Sequence, residues 1–342
     1  MGLTNNKSFS PPVPSKLPRK PRVKKFSESE PPEFKVGKST PAEVIPIWAG
    51  EMRGMTPALL RGTLFGIFHD KDRPNVKGLQ VCSMRGIYLS YTGELLNQLD
   101  LDVLIEVLHL GRGKKAGDDI KVSREELIRR LGLKSSGQTI QLLHERIERL
   151  LGGIVWVRTN NENFQGGLIS SVRWHDVTGE MVFTLHKEIV NLFPNNTWAQ
   201  FNPKVRNALG KNLLARWLHA HYATHVHPYP MTVETVHQLC GSEQSNPIEF
   251  RRQLKTAFTA IKAASKAVNE NFDFKIVKEK GTGPSKEKVV YKVYVTPHRS
   301  SSQERYAQTH DIQPPMMPRD HTKRTQGHLL PPDPAFDDNE AC

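Results

Sequence analysis

The chain has 342 residues, with 48 Lys and Arg against 35 Asp and Glu, so its formal charge at neutral pH is +13. This length allows two domains with tails, and the positive charge favours a polyanionic partner. Cys82, Cys240 and Cys342 lie far apart without a C-x-x-C pair, which argues against a zinc site or a disulfide framework and favours a reducing cytoplasm. No stretch approaches the roughly 20 apolar residues of a membrane span.

Residues 1–44 are rich in Pro, Ser and Lys and include the basic run KLPRKPRVKK at 16–25. This composition cannot bury enough apolar surface to fold, so we predict a disordered basic arm. Two interpretations stay open for the arm: contact with DNA phosphates, or a solvated tail that aids only solubility. No apolar core follows the basic residues, so the arm is not a secretory signal.

The composition changes at Val44, and apolar residues over 44–68 predict a lead-in segment with a short helix or strand that joins the core. Apolar patterns then predict a strand at 87–91, a buried helix at 100–110 and a brief strand at 120–122.

A short helix, a turn and a longer helix follow. Ser123 with Glu126 has the spacing of a capping box, and Gly132 supplies the left-handed residue that ends a helix. Ser135 with Gln138 predicts a second capping box before the longer helix. The longer helix carries an apolar stripe formed by Ile140, Leu143, Ile147, Leu150 and Leu151. This order of elements is typical of a helix-turn-helix.

A β-hairpin is predicted next. We expect 154–157 to pair with 168–174 across the loop NNENFQGG at 160–167, which has turn chemistry and would form a wing. A further strand is predicted at 181–185 and a short helix at 187–193. The complete pattern predicts a winged-helix unit, whose second helix enters a DNA major groove.

The outward face of the second helix can be derived from its period of about 100° per residue. Opposite the apolar stripe lie Gln138, Gln141, Leu142, Glu145 and Arg149. Gln can pair with adenine, and Arg with guanine or phosphate. The DNA contacts predicted for this unit are Ser135, Ser136, Gln138, Gln141 and Arg149. The alternative is a helical hairpin whose polar face is merely solvated.

The second half repeats this order of elements without repeating the residues. A helix is predicted over 205–222, and an extended segment over 228–231. Thr232 caps a short helix that ends at Cys240-Gly241, and Pro247 suits the first position of a long helix.

The long helix has two distinct faces. Its apolar face is formed by Phe250, Leu254, Ala257, Phe258, Ile261 and Val268. Its opposite face carries Arg252, Lys255, Thr259, Lys262 and Lys266. Strands over 272–280 and 289–295 predict a hairpin with a basic tip, a second wing. The DNA contacts predicted for this half are Asn246, Arg251, Arg252, Lys255, Lys278, Lys280, Lys286 and Lys288.

The predicted fold class is therefore α+β, with two tandem winged-helix domains. The first, with its lead-in segment, spans 45–200 and the second 201–298. A disordered arm (1–44) and a disordered tail (299–342), rich in Pro, Ser, Gln and Asp, flank them. We expect each second helix to present an exposed cationic ridge to duplex DNA.

The segment HAHYATHVH offers an enzymatic alternative. His219 and His221 beside Tyr222 suggest a metal-dependent nicking enzyme with a tyrosine nucleophile. That chemistry needs both histidines on one face of a strand, whereas the apolar pattern here is helical, and helical residues two apart diverge by about 200°. The sequence predicts no metal site, no cofactor, no phosphate-binding loop and no catalytic set, hence no enzyme.

Four segments resemble the TrfA-type plasmid replication initiators. They are MRGMTPALLRGTLF (52–65), YTG (91–93), the helix-turn-helix around 127–151, and RWLHAHYATHVHPYPMTVETVHQLCGS (216–242). The last is the most specific, and the resemblance extends over about residues 45–298.

The resemblance implies a non-enzymatic protein of the bacterial cytoplasm that binds direct repeats, called iterons, at a plasmid origin. Such initiators help to open adjacent AT-rich DNA and recruit the host replicative helicase and host initiator protein. They control copy number through a monomer–dimer equilibrium, and the family fold is two winged-helix domains.

The resemblance does not extend to one feature. Some family members dock on the sliding clamp through a Gln-Leu-x-Leu-Phe segment, but this chain has VIPIWAGEM at 44–52. Ile47 and Trp48 could supply an apolar hook, yet the glutamine and the Leu-Phe pair are missing, so clamp contact is not implied. A tandem winged-helix transcriptional repressor remains the alternative function. An inverted repeat in its target DNA would indicate the repressor, and direct repeats the initiator.

Overall fold

The computed structural model describes residues 44–69, 73–84, 87–159, 163–187, 189, 193, 198–280, 289–313 and 317–318. Within these ranges the fold is mixed α+β, as predicted, and no helix there has the length and apolar character needed to cross a bilayer. The predicted basic arm lies outside the described residues except for Val44, as do most of the predicted helix at 187–193 and the tail beyond residue 318.

The first half contains four helices and ten strands in the described residues. They are β1 (Arg53–Met55), α1 (Pro57–Leu60), β2 (Phe65–Gly66), β3 (Asn75–Met84), β4 (Ile87–Glu94), β5 (Leu96–Asn97), α2 (Gln98–Gly111), β6 (Asp119–Ser123), α3 (Arg124–Arg130), α4 (Gly137–Gly152), β7 (Ile154–Thr159), β8 (Asn163–Gly166), β9 (Ile169–Trp174) and β10 (Glu180–Leu185). The predicted helix at 100–110, the predicted short and longer helices on either side of Gly132, and the predicted strands at 87–91 and 120–122 are confirmed.

The second half follows as β11 (Ala199–Phe201), α5 (Pro203–Ala208), α6 (Leu213–Ala223), β12 (Met231–Thr232), α7 (Val233–Leu239), α8 (Pro247–Lys266), β13 (Asp273–Lys280), β14 (Val289–Thr296) and α9 (Ser301–Thr309). The predicted short and long helices and the predicted hairpin of this half are confirmed. The hairpin strands pair antiparallel from Asp273 opposite Thr296 to Lys280 opposite Val289.

The predicted helix at 205–222 is wrong as a single element, because the chain breaks into α5 and α6. Gly210 between them has φ +55, a left-handed conformation that glycine adopts without steric cost. Asn212 then caps α6 by accepting a hydrogen bond from the Ala215 amide at 3.0 Å.

The predicted first hairpin is also wrong. β7 pairs with β4 on one side and β8 on the other, within a sheet of order β3-β4-β7-β8. β9 pairs with β10 instead, across a turn at 175–179 where Gly179 has φ +67. The pairing with β4 is non-local, and it buries Val155 in the core beneath the sheet.

Two three-stranded sheets share one topology. In the sheet β6-β10-β9, the strand before the helix pair α3–α4 pairs with the last strand of the following hairpin. In the sheet β12-β14-β13, the strand before the pair α7–α8 does the same. The repeated order of elements predicted from the sequence is therefore also a repeat of strand pairing.

Each half has its own hydrophobic cluster. The first packs α2 against α3, α4 and the surrounding strands, with Leu104, Leu108, Leu143 and Ile147 among its buried residues. The second packs α6 against α8, with Trp217, Leu218, Tyr222, Phe250, Leu254 and Phe258 among its buried residues. The predicted apolar face of α8 is confirmed except for Val268, which follows the end of the helix and is half-buried.

The prediction that residues 299–342 are disordered is wrong for their first part, which forms α9. Ser300 and Gln303 form a reciprocal capping box, and Ala307 is buried. The Gln303 amide also donates to the Ala223 carbonyl at 2.9 Å, and Arg299 donates to the Val226 carbonyl at 2.9 Å. These bonds attach α9 to the end of α6.

The partly buried carboxylate of Asp102 joins the two halves. Asp102 of α2 accepts hydrogen bonds from Arg206 of α5 and Arg216 of α6, whose side chains are 3% and 6% exposed. Arg206 also donates to the Gln98 side chain at 2.8 Å and to the Arg216 carbonyl at 3.0 Å. Burial lowers the pKa of the Arg206 guanidinium, and the nearby Asp102 carboxylate opposes that shift. Each charge in this cluster therefore depends on the others.

Replacing Asp102 with Asn should lower the free energy of unfolding by about 3–5 kcal/mol, because two buried guanidiniums lose their counter-ion. Urea unfolding followed by circular dichroism measures the change. Asp119→Asn is the matched control, since Asp119 pairs with Arg173 at 2.7 Å on the surface, and its loss should cost less than about 1 kcal/mol. Equal effects of the two substitutions would contradict the proposed role of Asp102.

Candidate nucleic-acid interface

The turn between α3 and α4 is fixed at both ends. Ser123 caps α3 by accepting from the Glu126 amide at 3.1 Å, as predicted. Gly132 ends it with φ +72, and a Cβ at this position would lie 2.9 Å from the Asn207 side chain of α5. The second predicted capping box is wrong: Ser136, rather than Ser135, caps α4 by accepting from the Thr139 amide at 3.1 Å.

The exposed face of α4 carries neutral and acidic groups. Ser135, Ser136, Gln138 and Gln141 are all exposed, and Gln141 donates to Glu145 at 3.0 Å. The basic residues of the helix other than histidine, Arg146 and Arg149, are turned inward. The expectation of a cationic ridge is therefore wrong for α4, whose exposed side chains are Gln138, Gln141 and Glu148.

The prediction that Arg149 contacts DNA is wrong, because the side chain is turned inward. Its side chain is 11% exposed and bonds Asp100 through two nitrogens at 3.2 and 3.0 Å. Asp100 is completely buried at the start of α2 and also binds Arg73. A buried carboxylate requires this compensation, so Arg149 serves the interior of the protein and is not available to DNA.

The turn between α7 and α8 is held by a chain of polar contacts. Gly241, with φ +69, follows α7, and the His237 ring lies 2.7 Å from the Gln244 carbonyl. The Gln244 side chain accepts from the Asn246 amide at 3.1 Å, and Asn246 accepts from the Ile248 amide at 3.0 Å. With Pro247 at the first helical position, the start of α8 is pre-organised.

The outward face of α8 is cationic, as predicted. Its exposed stripe, called the α8 stripe below, consists of Arg252, Lys255, Thr259, Lys262 and Lys266. Arg252 pairs with Glu249 at 2.6 Å, and Lys262 with Asp273 at 2.6 Å. Both are surface pairs of low energy, which a DNA phosphate can replace at little cost.

Arg251 lies at the boundary between α8 and its hairpin. Its guanidinium stacks 3.8 Å from the centroid of the Tyr291 ring on β14, and the side chain is half-buried. On β13, Lys278 and Lys280 are exposed. Lys286 and Lys288, predicted at the tip of this hairpin, lie outside the described residues.

Sequence reasoning missed the hairpin β9–β10. Trp174 at the end of β9 is 52% exposed and meets His144 of α4 edge to face, with ring centroids 5.3 Å apart. Val177 in the connecting turn is 90% exposed. The turn sequence HDVTG, with glycine at its left-handed position, is the local signal that could have located this hairpin.

The histidine-rich segment lies inside the protein. It is helical, as predicted, and His219, His221 and Tyr222 are all buried in α6. His221 stacks on Trp217 with ring centroids 4.7 Å apart, and Tyr222 belongs to the second hydrophobic cluster. Among the described residues, no group of three His, Cys, Asp or Glu side chains is placed to hold a metal ion. Tyr222 is not accessible as a nucleophile.

The predicted apolar hook ahead of β1 is divided between surface and core. Ile47 is 71% exposed, but Trp48 is buried and donates to His109 Nδ1 at 3.0 Å. Only the isoleucine of this pair is therefore free to contact another molecule.

The chain is an α+β protein with two helix-turn-helix units, α3–α4 and α7–α8. The family described as TrfA protein matches residues 42–274, which is more than half of the chain. The chain belongs to the TrfA family.

Individual relatives are distant. The plasmid replication initiator protein TrfA of Escherichia coli is 23% identical over 226 residues, which cover 64% of this chain and 58% of that protein. The match thus spans a little over half of the relative's length. A crystal structure of domains 2 and 3 of RctB has a TM-score of 0.47 at 10% identity, covering 70% of this chain and 98% of that one. Pi initiator protein in complex with iteron DNA has a TM-score of 0.43 at 15% identity, covering 58% and 91%.

Two histidines in and just after α6, His219 and His225, predict how stability depends on pH. Burial, reinforced by Arg206 and Arg216, lowers the pKa of His219 to about 3, and burial with Arg61 lowers that of His225 to about 4. Between these values and about 6.5 the unfolded chain binds protons that the folded chain does not. Stability should therefore fall as pH falls from 6.5, by up to about 1.4 kcal/mol per pH unit for each such histidine.

Urea midpoints measured between pH 7 and pH 5 test this prediction. The His219→Gln protein should lose less stability over that interval than the unsubstituted chain, because one of the groups that bind protons only on unfolding is gone. The same slope in both proteins would contradict the assignment.

Proposed function

We propose that this protein initiates plasmid replication by binding iteron repeats at the origin, promoting the opening of adjacent AT-rich DNA and recruiting the host replication machinery. Membership of the TrfA family and the name of its curated relative support this proposal. The observation that carries it is the α8 stripe, an exposed cationic surface on the second helix of a pre-organised helix-turn-helix.

Each helix-turn-helix with its three-stranded sheet is proposed to be a winged-helix domain. The first would span 45–200 and the second 201–298. The shared strand order of β6-β10-β9 and β12-β14-β13 supports the proposal, as do the contacts of β9 with α4 and of β13 with α8, the second helix of each pair. The hairpin wings are then β9–β10 and β13–β14.

The two domains would read DNA by different chemistry. In the first, Gln138 and Gln141 offer neutral amides to base edges, and Ser135 and Ser136 offer hydroxyls to phosphate or sugar. In the second, the contacts are proposed to come from Asn246, Arg251, Arg252, Lys255, Lys278 and Lys280, with Lys286 and Lys288 beyond the described residues. Arg149 is excluded from the set by its burial.

The proposed partners are duplex DNA carrying iterons, the host replicative helicase and the host initiator protein, in the bacterial cytoplasm. A monomer–dimer equilibrium would regulate copy number, and no enzymatic step is assigned to the chain. The repressor alternative draws no support from the family or from the curated relative.

Footprinting on the origin of the replicon that carries the gene tests the proposed function. We expect protection of successive direct repeats on one face of the helix, with one protein copy per repeat. Protection of a single inverted repeat beside a promoter would indicate the repressor. Absence of protection at low salt would contradict both functions.

Arg252→Ala should weaken binding to one repeat by about 1–3 kcal/mol and relax the preference at one base pair. Quantitative gel shifts on the repeat and on its single-base variants measure both effects. Arg305→Ala is the control, since it removes an exposed arginine from α9 and so loses the same charge away from the α8 stripe. Intact affinity and preference in Arg252→Ala would show that α8 does not read the bases.

A further inference from the structure

One large apolar side chain stands at the leading end of the α8 stripe. Ile248, the second residue of α8, is 68% exposed. It precedes Arg252 by four residues and Lys255 by seven, so it lies on the same outward face. Phe250 and Leu254, which pack into the second hydrophobic cluster, lie on the opposite side. Ile248 therefore serves the outward surface and not the core.

The backbone beneath this side chain is fixed before any partner binds. The Ile248 amide donates to the Asn246 side chain at 3.0 Å, Pro247 restricts the preceding residue, and Gln244 holds Asn246 in turn. Isoleucine is β-branched, so its χ1 angle has few accessible values in a helix. A contact made by Ile248 would cost little conformational entropy.

The position suits one chemical group of DNA. Residues at the start of a recognition helix contact base edges in the major groove. There the thymine C5 methyl is the apolar group that distinguishes one base pair from the others. An aliphatic side chain at this point cannot form hydrogen bonds, so a methyl group is the part of a base edge that it can recognise.

Resting on the proposed function, we infer that Ile248 is a specificity-determining residue that contacts the C5 methyl of one thymine in each repeat. In α4 the same second helical position is held by Gln138, which is also exposed. The two helices thus present an amide and an aliphatic group at equivalent points, the former suited to adenine and the latter to thymine.

Deoxyuridine tests the contact directly, because it differs from thymidine only by lacking the C5 methyl. Each thymine of a repeat that the protein protects is replaced in turn by deoxyuridine, and the dissociation constant of the full-length chain is measured by gel shift. Loss of about one buried methyl should weaken binding about fourfold at one thymine within the segment covered by α8.

The inference requires that this loss depend on Ile248. In Ile248→Ala, binding to the unmodified repeat should fall by a similar factor or more, and the same deoxyuridine should have no further effect. Ile248→Val, which keeps both branches at Cβ, should retain part of the sensitivity. Ile47→Ala is the matched control, because it truncates an isoleucine that is 71% exposed in the lead-in segment and should leave the sensitivity unchanged.

The outcomes separate this inference from the function on which it rests. If the repeat is bound and no thymine is sensitive, or if Ile248→Ala keeps the sensitivity, the assignment of Ile248 is overturned while the proposed function stands. If the protein binds no repeat of its replicon, both fail together.

Discussion

Two carboxylates near the start of α2, Asp100 and Asp102, organise the interior of this protein. Asp100 is bound by Arg73 and Arg149, and Asp102 by Arg206 and Arg216. Acidic side chains are also favoured at this end of a helix, where the backbone dipole is positive. The four arginines come from the segment before β3 and from α4, α5 and α6, so one helical turn links elements that are far apart in sequence.

This arrangement connects the two DNA-reading helices of the proposed function. α4 packs on α2 and binds Asp100 through Arg149, while α8 packs on α6, which binds Asp102 through Arg216. The contacts that set the distance between α4 and α8 therefore meet on α2, at Asp100 and Asp102. A buried ion cluster tolerates little rearrangement, because separating its charges leaves them without solvent or partner. Recognition of a repeat of fixed length benefits from such a fixed separation.

What the sequence predicted correctly is local. The caps at Ser123 and Thr232, the glycines that end α3 and α7, and the apolar face of α8 all depend on residues within a few positions of one another. The pairing of β7 with β4 and the burial of Arg149 were missed because each partner is dozens of residues away. The helical period predicted that the Arg149 side chain faces outward. Its actual position is set by the ion pair with Asp100, which lies 49 residues earlier in the sequence. The start of α9 was local and readable, since Ser300 and Gln303 form a capping box, but the polar composition of the tail outweighed that signal.

Because these arginines lie in internal ion pairs, the net charge of the chain overstates the positive charge that its surface presents. The formal +13 counts Arg73, Arg149, Arg206 and Arg216, four cations that pair with only two carboxylates, Asp100 and Asp102, inside the protein. The α8 stripe and β13 together expose six Lys and Arg side chains, whereas the exposed side chains of α4 are Gln138, Gln141 and Glu148. Contacts between cations and phosphates release counter-ions from DNA, so in the proposed function the contribution of the α8 stripe should weaken as salt rises. Neutral hydrogen bonds from the exposed glutamines of α4 would not weaken with salt in this way, so the role of α4 in the proposed function would be discrimination between sequences more than affinity.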